Sequence, residues 1–160
     1  MSQNKIKTWE ELAEIIAKEK ASGKTVGFTN GCFDILHLGH ITYLNDAKKE
    51  CDTLVIGVNG DESVKRLKKG DSRPINSQEA RLEVLSALES VDYVTMFTED
   101  TPLELIKTLT PDVIFKGGDW KEEDIVGGDH VTSAGGKVSV IPYIGGYSTT
   151  ETIQRMKDNA

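Results

Sequence analysis

Five short apolar runs punctuate the chain: Thr25–Thr29, Thr53–Asn59, Tyr93–Phe97, Val113–Lys116 and Val138–Ile141. Each is rich in β-branched or aromatic residues and short enough to be a buried strand. Between them the apolar positions recur at helical spacing. Ahead of the first run, Thr8 and Glu11 are placed to form a capping box, Leu12, Ile15 and Ile16 line one face, and Gly23 closes the segment. Further helices are predicted over Ile41–Glu50 and from Asn76, with Glu79 at its third position, to about Leu88. Another is predicted from Asp100/Thr101, with Pro102 in its first turn, and the last from Ser148, with Glu151 closing a second capping box. Strands alternating with helices call for right-handed βαβ units and a five-stranded, mostly parallel sheet covered on both faces, which is the α/β class. No repeat, linker or low-complexity stretch interrupts the pattern. The expectation is one domain over residues 1–160, with an N-terminal helix at about 8–23 and a core at about 24–157.

Composition narrows the partners. With 160 residues the chain is long enough for a real core, and 19 basic against 26 acidic residues give a net charge of −7. That balance speaks against nucleic acid or an anionic membrane as partner. Any phosphate site must therefore gather its positive charge locally. No apolar run reaches transmembrane length, the first residues are polar, and the two cysteines form no disulfide pattern. A cytoplasmic location is expected.

The chemistry concentrates in Thr29–His40, where the first apolar run gives way to an amphipathic segment. This reads as strand, tight turn and helix, with His37 and His40 at the helix N-terminus. Free backbone N–H groups and the positive end of the helix dipole suit an anion there, and Gly39 lets the backbone approach it. Two imidazoles beside such a site point to phosphoryl or nucleotidyl transfer. Cys32, Cys51 and His130 make no metal-spaced set with them, and Cys32 reads as packing. In a parallel sheet, ligands lie beyond the carboxyl ends of the strands. Asn59 and Asp61, Lys116–Asp119 and Gly145–Thr150 all fall at such ends. Ser148 is a natural N-cap, but capping needs one hydroxyl and Ser148, Thr149 and Thr150 offer three. Lys116 is either a strand-end lysine reaching solvent or part of a ligand loop. Lys65, Arg66, Lys68 and Lys69 are either a solvated face or a mobile anion-binding loop, and Arg81 is either near the ligand or in a surface ion pair.

Gly31–His40 resembles the signature of the HxGH nucleotidyltransferases. Asn59–Val64, Arg73–Asn76, Pro111–Trp120 and Gly146–Thr150 are similar to the adenylyltransferase part of bacterial ADP-heptose synthases, a likeness running from about Thr8 to Met156. The resemblance implies a Rossmann-like three-layer α/β/α nucleotidyltransferase fold and, as partners, ATP with its Mg²⁺ and D-glycero-β-D-manno-heptose 1-phosphate. It implies His37, His40 and Lys68 (or Lys69) as the catalytic groups. The nucleotide would be held by Thr29, Asn30, Gly31, Phe33, Gly39, Asn59, Asp61, Arg81 and Gly146, Tyr147, Ser148, Thr149 and Thr150. The sugar phosphate would be met by Asp34, Arg73, Lys116, Gly117 and Asp119, with no dedicated metal ligand. Such enzymes are often fused to a sugar kinase, so a stand-alone, homo-oligomeric version is expected. Lys116 and Gly118 depart from the cytidylyltransferase pattern towards the heptose enzyme. Tyr143 replaces an arginine of the cytidylyltransferases, and Gly145 replaces an acidic residue of both groups, leaving base recognition open. The rival readings are a cytidylyltransferase for an alcohol phosphate such as glycerol 3-phosphate, and a non-catalytic nucleotide-binding regulator.

Overall fold

Residues 2–67 and 70–160 are described by a computed structural model, in which the five apolar runs form one sheet. Strands β1 (Val26–Gly31), β2 (Thr53–Asn59), β3 (Tyr93–Phe97), β4 (Val113–Gly117) and β5 (Lys137–Ile141) lie in the order β3-β2-β1-β4-β5. Every pairing is parallel. The chain steps outward from β1 to β3, then crosses back to lay β4 and β5 on the other side. The reversal falls between β1 and β4, where an open α/β sheet forms its ligand crevice. The ladder shows why. β1 pairs with β2 along all six of its residues, but with β4 only through Gly27↔Val113 and Phe28↔Ile114. Beyond Phe28 those two strands part.

Helices α1 (Trp9–Ala21), α2 (Leu38–Lys49), α3 (Asp61–Arg66), α4 (Gln78–Ser86), α5 (Leu103–Leu109), α6 (Gly128–Ser133) and α7 (Thr149–Asp158) complete the layers. Alternate β2 residues feed two cores. Leu54, Ile56 and Val58 pack with Leu44 and Ala47 of α2 and Leu85 of α4. Val55 points the other way and joins Leu12, Ile16, Leu105, Ile106 and Val131. Gly27 is where this packing is tightest: a Cβ there would sit 2.4 Å from the Phe115 ring and 2.8 Å from Cys51 Sγ. Burial pushes the Cys51 thiol up to about 11, so it is an inert filler.

Both bonds of the Thr8–Glu11 capping box form, at 2.8 and 3.2 Å. Elsewhere the boundaries differ from the sequence expectation for local reasons. α2 begins three residues earlier than Ile41. α4 is capped by Ser77, whose Oγ accepts from Ala80 N at 3.3 Å, because Asn76 is bonded to Asp34 instead. Pro102 stands at the N-cap of α5 rather than inside its first turn. At α7 only half of the second box forms, Ser148 Oγ accepting from Glu151 N at 3.0 Å. The six-residue helices α3 and α6 are too short for hydrophobic periodicity to reveal.

Candidate active site

The turn after β1 is built around a buried carboxylate. Phe33 adopts φ 48° and swings Asp34 inward, where its side chain is fully covered. Asp34 accepts from Arg73 Nε at 2.6 Å, from Ile75 N at 2.8 Å and from Asn76 N at 2.8 Å. Burial alone would raise its pKa, but the Asn76 and Ile75 amides and the Arg73 guanidinium outweigh it and hold the carboxyl below its usual range. This carboxylate is occupied by its own chain. What it delivers to the cavity wall is Arg73, held by Nε.

His37 caps α2 with extended backbone, and His40 follows in the first turn. The two rings stack, with centroids 3.9 Å apart and planes 22° from parallel, and the Phe33 ring stands 5.3 Å from that of His40. Gly39 makes the stack possible. A Cβ there would meet His37 Cε1 and Nδ1 at 3.0 Å and Tyr147 Cβ at 3.3 Å. His37 Nδ1 is buried without a hydrogen-bond partner among the described residues, and burial lowers the pKa of the ring. His37 is thus neutral at neutral pH, a donor at one nitrogen and an acceptor at the other.

The start of α7 lines the same cavity and is tied to the β1 turn by Thr149 Oγ1 donating to Ile35 O at 3.2 Å. On the β4 side, Gly117 and Gly118 (φ 97°) make a bare shelf under the Tyr143 ring, which lies 2.6 and 2.7 Å from where their Cβ atoms would be. Lys116 Nζ lies 4.8 Å from the centroid of the Trp120 ring, a cation–π distance. On the β2 side, buried Asn59 donates to Ser63 Oγ at 2.9 Å, which donates in turn to Glu99 O. These parts enclose a cavity of about 830 Å³.

Most of the residues singled out from sequence line it. From β1 and α2 come Thr29, Asn30, Gly31, Phe33, Asp34, Gly39 and both histidines. The ends of β2 and β4 supply Asn59, Lys116 and Gly117, the segment between α3 and α4 supplies Arg73, and the approach to α7 supplies Gly146–Thr150. Asp61, Arg81 and Asp119 are not in its wall, and Lys68 and Lys69 lie outside the described residues. Arg81 is wholly buried outside the cavity wall, and its ion pair is with the part-exposed Asp61 at 2.8 Å. Sequence reasoning missed Trp120 and Asp100–Pro102, and it noted Tyr143 only as a departure. Asp100–Pro102 follow β3, so the carboxyl-end rule would have reached them. Among the described residues no three His, Cys, Asp or Glu side chains gather as a metal site.

A five-stranded parallel sheet reversing at β1/β4, flanked by helices, defines the α/β nucleotidyltransferase fold. Residues 28–155 match the family described as cytidylyltransferase-like, and the chain belongs to that family. It is 51% identical over 155 residues to the bifunctional protein HldE of Syntrophotalea carbinolica, covering 97% of this chain and 31% of that protein. With the HldE of Granulibacter bethesdensis the identity is 54% over 91% of this chain and 30% of the other. The chain thus spans about a third of the length of these relatives. The crystal structure of the lipopolysaccharide core biosynthesis protein from Thermoplasma volcanium is 30% identical with a TM-score of 0.64, covering 79% of this chain and all of the other. A pantoate-β-alanine ligase from Francisella tularensis shares the fold at 14% identity and a TM-score of 0.55, over 86% of this chain and 66% of that one.

Proposed function

We propose that this chain is an adenylyltransferase that condenses ATP with D-glycero-β-D-manno-heptose 1-phosphate to give ADP-heptose and pyrophosphate. The observation that carries the reading is the stacked His37–His40 pair at one helix N-terminus, with the start of a second helix lining the same cavity. Two positive dipole ends and two imidazoles in a protein of net charge −7 make a local anion trap for several phosphates. The sugar class is supported by the HldE relatives, the similarity to ADP-heptose synthases and the lipopolysaccharide core protein.

An oxygen of the sugar phosphate attacks the α-phosphorus of ATP. The bond from that phosphorus to the oxygen bridging to the β-phosphate breaks, and pyrophosphate departs with the electron pair. The nucleophile is already an anion, so neither a strong base nor a covalent intermediate is required. The barrier is repulsion between phosphates and the cost of alignment, and each preorganised donor contributes about 10²–10³ in rate. His37 and His40 serve the α- and β-phosphate oxygens, while Lys68 and the Ser148–Thr150 helix start neutralise the departing pyrophosphate. Thr29–Gly31, Phe33, Gly39 and Asn59 bound the nucleotide, and Arg73 and Lys116 receive the sugar phosphate. Mg²⁺ enters as part of the ATP substrate, liganded mainly by phosphates and water.

The family description favours a second reading, transfer of a cytidylyl group to an alcohol phosphate. A pyrophosphate-release screen of ATP and CTP against heptose 1-phosphate and glycerol 3-phosphate separates the two. Release only with CTP and glycerol 3-phosphate installs the second reading. Silence with every pair leaves a non-catalytic nucleotide binder. Light scattering tests the accompanying proposal of a homo-oligomer. No helix among the described residues is long and apolar enough to cross a membrane.

A further inference from the structure

Arg81 is among the largest fully buried side chains, 1% exposed, and the proposed reaction gives it no substrate to touch. Its guanidinium gathers four acceptors from three stretches of the chain. Nη1 donates to Cys32 O and to Asn59 O, both at 2.7 Å. Nη2 donates to Asp61 Oδ1 at 2.8 Å, and Nε to Asn76 O at 3.2 Å. Cys32 lies one residue beyond β1 and opens the turn that carries both histidines. Asn59 ends β2 and lines the cavity, and Asp61 opens α3. Asn76, with Ile75, clasps the Asp34 carboxylate that holds Arg73.

We infer that Arg81 is a positioning residue for nucleotidyl transfer: from beneath the cavity it fixes the histidine turn, the end of β2 and the Arg73 segment relative to one another. Only a planar five-donor head can serve acceptors from four directions at once, and a lysine ammonium cannot reproduce that fork. Without it, the carbonyls of the buried residues Cys32 and Asn59 lose their guanidinium donor, and the segments drift until they find others. Displacing a site by about 1 Å from a distance can cost about 10²-fold in rate. The consequence for the reaction rests on the adenylyltransferase reading; the spacing role does not.

The test uses Arg81→Lys, Arg81→Ala and Asp61→Ala, the last removing one of the four bonds. Without any substrate, Arg81→Lys should speed amide hydrogen exchange in residues 32–37 and 73–77 and leave β4 and β5 as in the wild type. In the pyrophosphate assay its kcat/KM should fall about 10²-fold whichever substrate is varied, Asp61→Ala should fall less, and methylguanidinium should restore part of the Arg81→Ala activity. A rise in KM for ATP alone, with wild-type exchange, would make Arg81 a nucleotide ligand and overturn the inference. Unchanged exchange with unchanged kcat and KM would reduce it to packing. If Arg81→Ala does not fold, the lysine variant and Asp61→Ala decide between these outcomes. The exchange measurement needs no turnover, so a wild-type protein that releases no pyrophosphate sinks the reaction while the spacing role is still judged on its own data.

Discussion

A missing side chain at Gly39 lets two imidazoles stack where one would otherwise be pushed aside. Rings 3.9 Å apart in a half-buried place resist carrying two positive charges together. Burial already holds His37 below the usual imidazole range, so the free protein presents it neutral at pH 7. A bound triphosphate favours the charged form. Binding of ATP should therefore take up protons near neutrality, and affinity should rise as pH falls from about 8 towards 6. Calorimetry in buffers of different ionisation enthalpy reads the uptake directly; a heat independent of buffer would mean that neither ring changes charge. His40→Ala should lower kcat by at least about 10²-fold with the circular dichroism spectrum of the wild type, because what it removes is a donor to developing charge. Normal turnover would take the pair out of the mechanism.

At the scale of elements, one carboxylate decides where residues 73–76 run. Asp34 is paired with Arg73 and accepts two backbone amides, so its truncation strands a buried guanidinium and unpins the segment. Asp34→Ala should cost about 3–5 kcal/mol, measured by urea unfolding at pH 7. The pH dependence follows from the sign of the shift. The folded-state pKa of Asp34 is depressed, so its contribution is complete above the ordinary carboxylate pKa and is lost as pH falls through the lower, folded value. Wild-type stability should drop below about pH 4 more steeply than that of the variant, and parallel acid limbs would rule Asp34 out as the source. The sequence put Asp34 and Arg73 forward as expected sugar-phosphate contacts, but not as partners of each other. Their pairing spans 39 residues, and no local spacing encodes it. The same holds for Arg81, whose acceptors are mostly backbone carbonyls and leave no mark in the sequence. The capping box at Thr8 and the strands β2 and β3 were legible to the residue, because their signals are local.

Over the whole molecule, the site was foreseeable because strand order converts sequence position into geography. Once the strands are parallel, every strand-to-helix turn lies on one edge, and the histidine turn, Asn59, Lys116 and the α7 start converge without long-range information. What sequence did not reveal is how β1 and β4 separate, a consequence of a ladder that stops at Phe28 and Ile114. The cavity stands over that seam, with Asn30, Gly31 and Asn59 of β1 and β2 on one side and Lys116 and Gly117 of β4 on the other. A nucleotide bound there would bridge the two halves of the sheet across their sparsest pairing. MgATP should raise the midpoint of thermal unfolding, by the equivalent of about 2.7 kcal/mol at a hundred times its dissociation constant, since it binds only the folded chain. It should also slow amide exchange in β1 and β4, whose shared ladder has two registered pairs, more than in β2 and β3, whose shared ladder has five. AMP, which lacks the β- and γ-phosphates, should reproduce little of either effect. Protection spread evenly over all five strands would place the nucleotide away from the seam, and protection confined to α7 would leave the histidine pair without its phosphates.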